Sequence, residues 1–265
     1  MSALLLVVVG WLIMIAVMIA LWRWQQRTEK SGMVDVVWPI SVGILAAFFS
    51  IATTSGLLSR RVLIAVLAML WATRLSWYIW NRLKSEKDDR RYLNLREKWA
   101  DQYQTKLFKF YQFQGFGALL FALPMLVAAT NESPLGWLDY LGVAVWCIAT
   151  TGETMADLQL KRFKANPNNQ GKVCQHGLWR YSRHPNYFFE WLHWWTYVCF
   201  AIVAPWGWLT LIGPAAMLLF VLFMTGVPPA EASSLKSRGQ AYRDYQQTTS
   251  VFFPWFPKSK KQTKS

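Results

Sequence analysis

The sequence predicts an all-α, polytopic membrane protein built as a seven-helix transmembrane bundle. Three observations carry that reading. Apolar runs of bilayer length recur along the chain. Hydrophobic residues make up 54% of the 265 positions and 17 of them are tryptophan, too apolar for a soluble domain of this size. The cations cluster between the apolar runs instead of spreading over a surface. The net charge of +14 therefore reads as basic loops on a membrane protein, not as a nucleic-acid interface. Cys147, Cys174 and Cys199 show no paired spacing, so neither a disulfide framework nor a zinc site is expected. Three histidines in no ligand spacing argue against any metal.

Residues 3–22 form an uninterrupted apolar run long enough to cross a bilayer. The run lacks a basic start and a small-residue cleavage site and ends in Trp22-Arg23-Trp24, so it reads as a retained helix. Further spans are expected at 37–56, 62–81, 114–130, 136–156, 186–204 and 207–227, in one integral membrane domain covering 1–265. Ser133-Pro134 and Pro205-Trp206-Gly207 supply short turns. On one side the alternate loops hold three Lys/Arg in 23–34, nine in 82–110, six in 157–183 and seven in 228–265. The other side holds only Arg60 and Arg61, and Arg74 lies within the third span. That bias predicts an amino terminus outside and a carboxyl terminus in the cytoplasm, in a bacterial inner membrane or, in a eukaryote, the endoplasmic reticulum. Residues 84–109 read as a solvated or interfacial amphipathic helix without chemistry, and 258–265 as a solvated or headgroup-attracted end.

Polar residues within these spans mark the candidate site. At the start of the second helix, Ser31 or Asp35 suits an N-cap and the Asp35 charge suits the helix dipole. Asp35 also suits an acid at the edge of a lipid-accessible cavity, donating a proton. Arg74 calls for an anionic partner, Asp35 or Glu190. Tyr78 follows at i+4, as an interfacial belt residue or a catalyst, and Asn81-Arg82 close that helix. Glu153, Asp157, Lys161 and Lys164 form one stripe at i, i+4, i+8 and i+11. They are surface ion pairs, or carboxylates that hold ribose hydroxyls or a carboxamide while the lysines reach phosphates.

A turn-rich loop, 166–172, leads into the densest polar stretch, 177–195. Pro185 suits a first helical turn, and Asn186, Glu190 and Trp194 then share one face. Lys164, Lys172, Arg180, Arg183 and His184 make an anion-binding set that fits a pyrophosphate and a 2′-phosphate. No G-x-G-x-x-G or P-loop occurs, which excludes a Rossmann or kinase-type nucleotide site. Near the carboxyl terminus, a helix bearing Glu231 and the pair Tyr242 and Tyr245 either closes over a bound ligand or lies at the interface on aromatic anchors.

The run Gly177-Leu178-Trp179-x-Tyr181-Ser182-Arg183-His184-Pro185-Asn186-Tyr187-x-x-Glu190-Trp191 is joined by Glu231, Leu235, Gly239, Tyr242, Tyr245 and Pro254. This combination resembles the membrane-bound steroid 5α-reductase family, most of all its bacterial-type members with Gly-x-x-Asp-x-x-Trp, here Gly32, Asp35 and Trp38. The likeness is strongest over 150–257 and extends to 32–82. Arg-His-Pro-x-Tyr is shared with isoprenylcysteine and phospholipid methyltransferases and with sterol C14 and C7 reductases. The resemblance implies NADPH in the cytoplasmic half of a seven-helix bundle, with cytoplasmic loops and a C-terminal helix covering the cofactor site. It also implies a monomer surrounded by membrane lipid, with a lipophilic, steroid-like substrate entering from the bilayer and no nucleic-acid partner.

By match to that family, Asp157, Lys161 and Lys164 fall on its nucleotide-binding helix, Lys172 on its basic loop, and Asn186, Glu190 and Trp194 on its Asn-x-x-x-Glu-x-x-x-Trp face. Asn81 and Arg82 match its third-helix end, and Glu153, Tyr181, Arg183, His184, Glu231 and Tyr245 complete the implied cofactor set. Glu153 stands where the animal enzymes have asparagine, and Trp71 where they have a tyrosine that polarises the substrate carbonyl. Asp35, with Tyr78, stands in for the catalytic glutamate, and Glu190 joins them. The implied reaction reduces the C4–C5 double bond of a Δ4-3-ketosteroid or similar enone. Hydride goes to the β-carbon while an acid stabilises charge on the carbonyl oxygen. Two rival readings are an S-adenosylmethionine-dependent methyltransferase, for which the extended set Lys164, Lys172 and Arg183 is less suited, and a lipid-binding scaffold without catalysis.

Overall fold

The computed structural model describes residues 2–85 and 90–259. Residues 86–89 of the expected loop and 260–265 of the expected tail lie outside the described residues. The main helices are α1 (Ala3–Thr28), α2 (Met33–Ala52), α3 (Leu58–Ser85), α4 (Arg90–Trp99), α5 (Tyr103–Ala129), α6 (Trp137–Ala165) and α7 (Pro185–Ala201). They continue with α8 (Ile212–Leu219), α9 (Val227–Arg238) and α10 (Gln240–Thr248), and no strand occurs among the described residues. Each expected apolar run falls largely on helix, although 53–56 and 202–204 lie beyond the ends of α2 and α7 and 207–227 is broken into short helical segments. Among the described residues, five helical runs are long and apolar enough to cross a membrane: Ala3–Thr28, Met33–Ala52, Leu58–Lys84, Arg91–Ala129 and Gly207–Arg238. α6 and α7 are not among the five. α6 carries Asp139, Glu153, Asp157 and a basic last turn, and α7 has only 17 residues, Glu190 and His193 among them.

The chain divides into two compact units, Met1–Gly136 with Phe200–Gly213, and Trp137–Cys199 with Pro214–Ser265. In the first unit, α2 and α3 pack closely because Gly43 offers no side chain. A Cβ there would stand 2.7 Å from that of Ala72. Gly56 turns the chain between α2 and α3 at φ +86°, a conformation that favours glycine, with Ala129 and Thr130 of the α5 end against it. α3 then opens with two arginines that close other helices. Arg61 donates from Nε to Ser50 O at 2.7 Å and from Nη2 to Ile51 O at 2.9 Å, at the end of α2. Arg60, 1% exposed, donates to the carbonyls of Asn131, Ser133 and Pro134 at 2.8–3.2 Å, beyond the end of α5. Guanidinium groups at these ends satisfy orphan carbonyls and oppose the negative pole of the helix.

Two expectations are corrected in this unit. α2 has no side-chain cap: Gly32 occupies the N-cap position, while Ser31 bonds with Gln25 and Tyr103 and Asp35 sits within the first turn. The stretch 84–109, expected as a solvated or interfacial amphipathic helix, is helical over Arg90–Trp99 and from Tyr103 onward, but its apolar face is buried in the protein. α5 begins at Tyr103, and Tyr103, Leu107 and Tyr111 at i, i+4 and i+8 are buried in a core with Met18, Val34 and Tyr92. The basic residues on the opposite face conceal that apolar stripe in a composition-level reading.

In the second unit, α7 starts at Pro185, whose missing N–H needs no partner in a first turn. The 32-residue run Gly207–Arg238, which begins in the first unit and continues in the second from Pro214, exceeds the roughly 20 residues that span a bilayer. It is interrupted at Gly226 after a π-helical turn, Phe220–Met224, and the polar helix α9, with Pro228 and Pro229 in its first turn, lies beyond its apolar part.

Candidate functional site

The second unit gathers most of the polar residues singled out in the sequence. On α6, Glu153 and Asp157 are 5% and 4% exposed, one turn apart, and Gly152 beside them faces the ring of Phe189 on α7. On α7, Asn186, Glu190 and Trp194 lie on one face, Glu190 and Trp194 buried. The two faces are joined by a hydrogen bond from Asn186 Nδ2 to Asp157 Oδ1 at 3.3 Å. The other end of that amide, Oδ1, is buried and accepts no hydrogen bond. Buried polar atoms are rarely left in that state, since an unmade bond costs about 1–3 kcal/mol. Lys161, Lys164 and Lys172 are exposed around the carboxyl-terminal end of α6 and the loop after it.

Residues 177–184 hold the start of α7 in place. Trp179 Nε1 donates to Ala156 O at 3.0 Å, and Gln159 Oε1 accepts from Leu178 N at 2.9 Å, so α6 supports this segment from below. The Ser182 hydroxyl donates to Phe252 O at 2.8 Å and accepts from His184 N at 3.1 Å. Tyr181 contributes its carbonyl, which accepts from Trp255 N at 2.9 Å, and its ring, which packs edge-on against Phe256.

Arg183, His184, Glu231 and Tyr245 meet, but chiefly one another. Arg183 Nε donates to Glu231 Oε1 at 2.7 Å, and its Nη1 donates to the carbonyls of Gln246 and Thr249 at 3.0 and 2.7 Å. His184 Nε2 lies 3.4 Å from the same carboxylate oxygen, Tyr242 donates to it at 3.4 Å, and Gln246 Nε2 donates to Oε2 at 2.8 Å. Tyr245 donates to the carbonyls of Trp179 and Ser182. Burial alone would raise the Glu231 carboxyl, but hydrogen bonds from His184 and Arg183, the Arg183 charge and Gln246 outweigh it and hold it at about 2. Burial and the Glu231 charge push the Tyr242 phenol up to about 12. The side chains of Arg183 and Glu231 are 11% and 16% exposed. The guanidinium expected to meet an anionic ligand is thus already paired within the protein, joining α7, α9 and α10.

In the first unit, Asp35 accepts from the Tyr92 hydroxyl at 3.1 Å through Oδ1 and pairs with Arg91 at 3.4 Å through Oδ2. Tyr78 and Asn81 are half-buried on α3, Asn81 donating to Trp77 O at 2.9 Å, and Arg82 is exposed. Tyr92 was not expected at any site. Its partner lies 57 residues away, and its own segment reads as a charged surface helix. Gln246 was missed likewise, although its i+4 relation to Tyr242 placed it beside a residue already singled out. Among the described residues, no group of three or more His, Cys, Asp or Glu is arranged to hold a metal ion.

Comparison with known proteins adds family membership. The chain is similar to "Uncharacterized protein C594.04c" of Schizosaccharomyces pombe, 27% identical over 93% of this chain and 79% of the relative. No solved structure matches. The profile of one family covers residues 21–249, most of both compact units. The chain therefore belongs to the family described as "Protein of unknown function (DUF1295)".

Proposed function

We propose that the protein is an NADPH-dependent reductase of a lipophilic enone, with a Δ4-3-ketosteroid as the model substrate, in a seven-span membrane bundle whose carboxyl terminus is cytoplasmic. One observation carries the reading: the buried Asn186 Oδ1 on α7, beside the Glu153 and Asp157 pair of α6. An amide N–H, such as that of a carboxamide, is the kind of donor that would satisfy this oxygen, while Asp157 fixes the orientation of the Asn186 amide. Buried carboxylates on the same faces suit hydroxyl and amide donors, and the exposed Lys161, Lys164 and Lys172 suit phosphates. The nicotinamide of NADPH supplies hydride when bound.

The chain's own share is to orient, exclude water and hold a proton. On α7, Glu190 sits one turn beyond Asn186, buried in an aromatic segment that keeps water from the reacting centre. Asp35 keeps the role of acid with Tyr78, and the Tyr92 hydroxyl that donates to it adds a second phenol. Resemblance to the steroid 5α-reductase family supports the same chemistry.

The test uses purified protein with NADPH and testosterone or progesterone. A 5α-dihydro product with matching NADPH oxidation is expected, together with thermal protection by NADPH. Asn186→Ala should weaken that protection by about ten- to hundredfold in NADPH concentration, one or two hydrogen bonds at ~1.4 kcal/mol per decade. Protection by S-adenosylmethionine with indifference to NADPH would instead establish a methyltransferase.

A further inference from the structure

The segment 251–258 is fixed to the protein on one side and exposed on the other. Its backbone is clamped: Arg183 N donates to Ser250 O at 2.8 Å, Trp255 N to Tyr181 O at 2.9 Å and Lys258 N to Thr248 O at 2.8 Å. The Ser182 hydroxyl takes the Phe252 carbonyl. Phe252 turns inward, 1% exposed, and packs against Phe188 and Trp191 in the first two turns of α7, each at 5.9 Å between ring centroids. Phe253, Trp255 and Phe256 turn outward and are 53%, 70% and 76% exposed. Pro254 and Pro257 stiffen the backbone between them. Ordering three large aromatics into solvent gains nothing, so their outer face calls for an apolar neighbour.

The geometry points to a membrane-surface anchor: residues 251–258 seat Phe253, Trp255 and Phe256 at the headgroup level of a bilayer rich in anionic phospholipid. Three features select that occupant. The segment lies along the N-terminal turns of α7, where the polar motif gives way to aromatic sequence, and tryptophan at such a level is favoured by its amphipathic ring. Lys258 follows the aromatics, and the sequence continues with Lys260, Lys261 and Lys264, with no acid after Asp244. A cation cluster beside interfacial aromatics is attracted to a negative lipid surface. The clamp has already ordered the backbone, so little entropy opposes seating. This anchor stands independently of the proposed catalytic activity.

The full chain in vesicles tests it. Phe256→Cys, in a background with Cys147→Ala, Cys174→Ala and Cys199→Ala, carries an environment-sensitive fluorophore, and brominated phosphatidylcholine or phosphatidylglycerol serves as quencher. Blue-shifted emission is expected, with roughly threefold or greater quenching in the phosphatidylglycerol vesicles, lost when Lys258, Lys260, Lys261 and Lys264 are all changed to Gln. Water-like, unquenched emission would overturn the anchor, and equal quenching by both lipids would overturn its anionic selectivity. Cross-linking between two copies through the labelled position, without lipid quenching, would overturn it in favour of a protein interface. If the cysteine-free background loses helicity, Trp255→Phe in the native-cysteine chain reads the same contrast, as a drop in the tryptophan emission that brominated phosphatidylglycerol quenches. No drop would overturn the anchor.

Discussion

At the scale of single residues, Glu231 shows how one carboxylate can order several segments. It accepts from Arg183, Tyr242 and Gln246 and faces His184, so it ties the start of α7 to α9 and α10. Its pKa is depressed in the folded state, so it contributes stability that is fully present above the ordinary carboxylate range, near 4.3, and lost as pH falls from there toward 2. Thermal melts between neutral pH and pH 3 should therefore show a falling midpoint that Glu231→Gln flattens. Arg183→Gln should be costlier at neutral pH, about 3 kcal/mol, because it leaves the carboxylate of a largely buried pair without its cation. A melt in detergent reads that loss, and an unchanged midpoint would show the pair to be incidental. The sequence exposed Arg183 and Glu231 as candidates but not as partners. Their separation of 48 residues has no period that links them, and a basic motif beside a nucleotide-like pattern invites a ligand instead.

At the scale of elements, helical periodicity was legible in α6 and α7. Asn186, Glu190 and Trp194 share a face, Glu153 and Asp157 stack, and Pro185 opens α7 as its chemistry requires. Helix starts set by tertiary bonding were not legible. Ser31, a good capping residue, serves Gln25 and Tyr103 instead, and α2 begins on an uncapped glycine. The amphipathic helix of α4 and the first turns of α5 was legible, but not the core that its apolar stripe joins, because Met18 and Val34 lie far away in sequence. Helix spacing is a further property that composition conceals. Gly43 sits where α2 meets Ala72 of α3, so Gly43→Leu must part the two helices or force strained rotamers, at about 1–3 kcal/mol or more. Loss of thermal stability is expected in a detergent melt. Gly136→Ala, at a position where an added Cβ meets nothing within 4 Å, should leave it unchanged.

At the scale of the whole molecule, the charge bias deserves a structural reading. In the proposed seven-span topology only Arg60 and Arg61 fall on the side opposite the basic loops, and both are spent on carbonyls, at the end of α2 and just beyond the end of α5. Arg60 is almost wholly buried in that role. Two cations that donate to carbonyls at helix ends are therefore fixed by the fold, while the same proposed topology assigns 25 of the 28 Lys/Arg to the other side. The proposed orientation follows from this contrast and makes a sharp demand on reporters. A fluorescent protein fused after Ser265 should fold and glow in a bacterial host, and a phosphatase at the same point, active only outside the cytoplasm, should stay silent. Fusion at residue 56, between α2 and α3, should give the reverse pattern. Arg60→Gln with Arg61→Gln should lower stability by unsealing both helix ends yet leave the reporter pattern as it was, because the orienting charge lies in the basic loops. If the double variant instead inverted the reporters, the arginines would be topological signals, and their hydrogen bonds a secondary use of charges placed there for another reason.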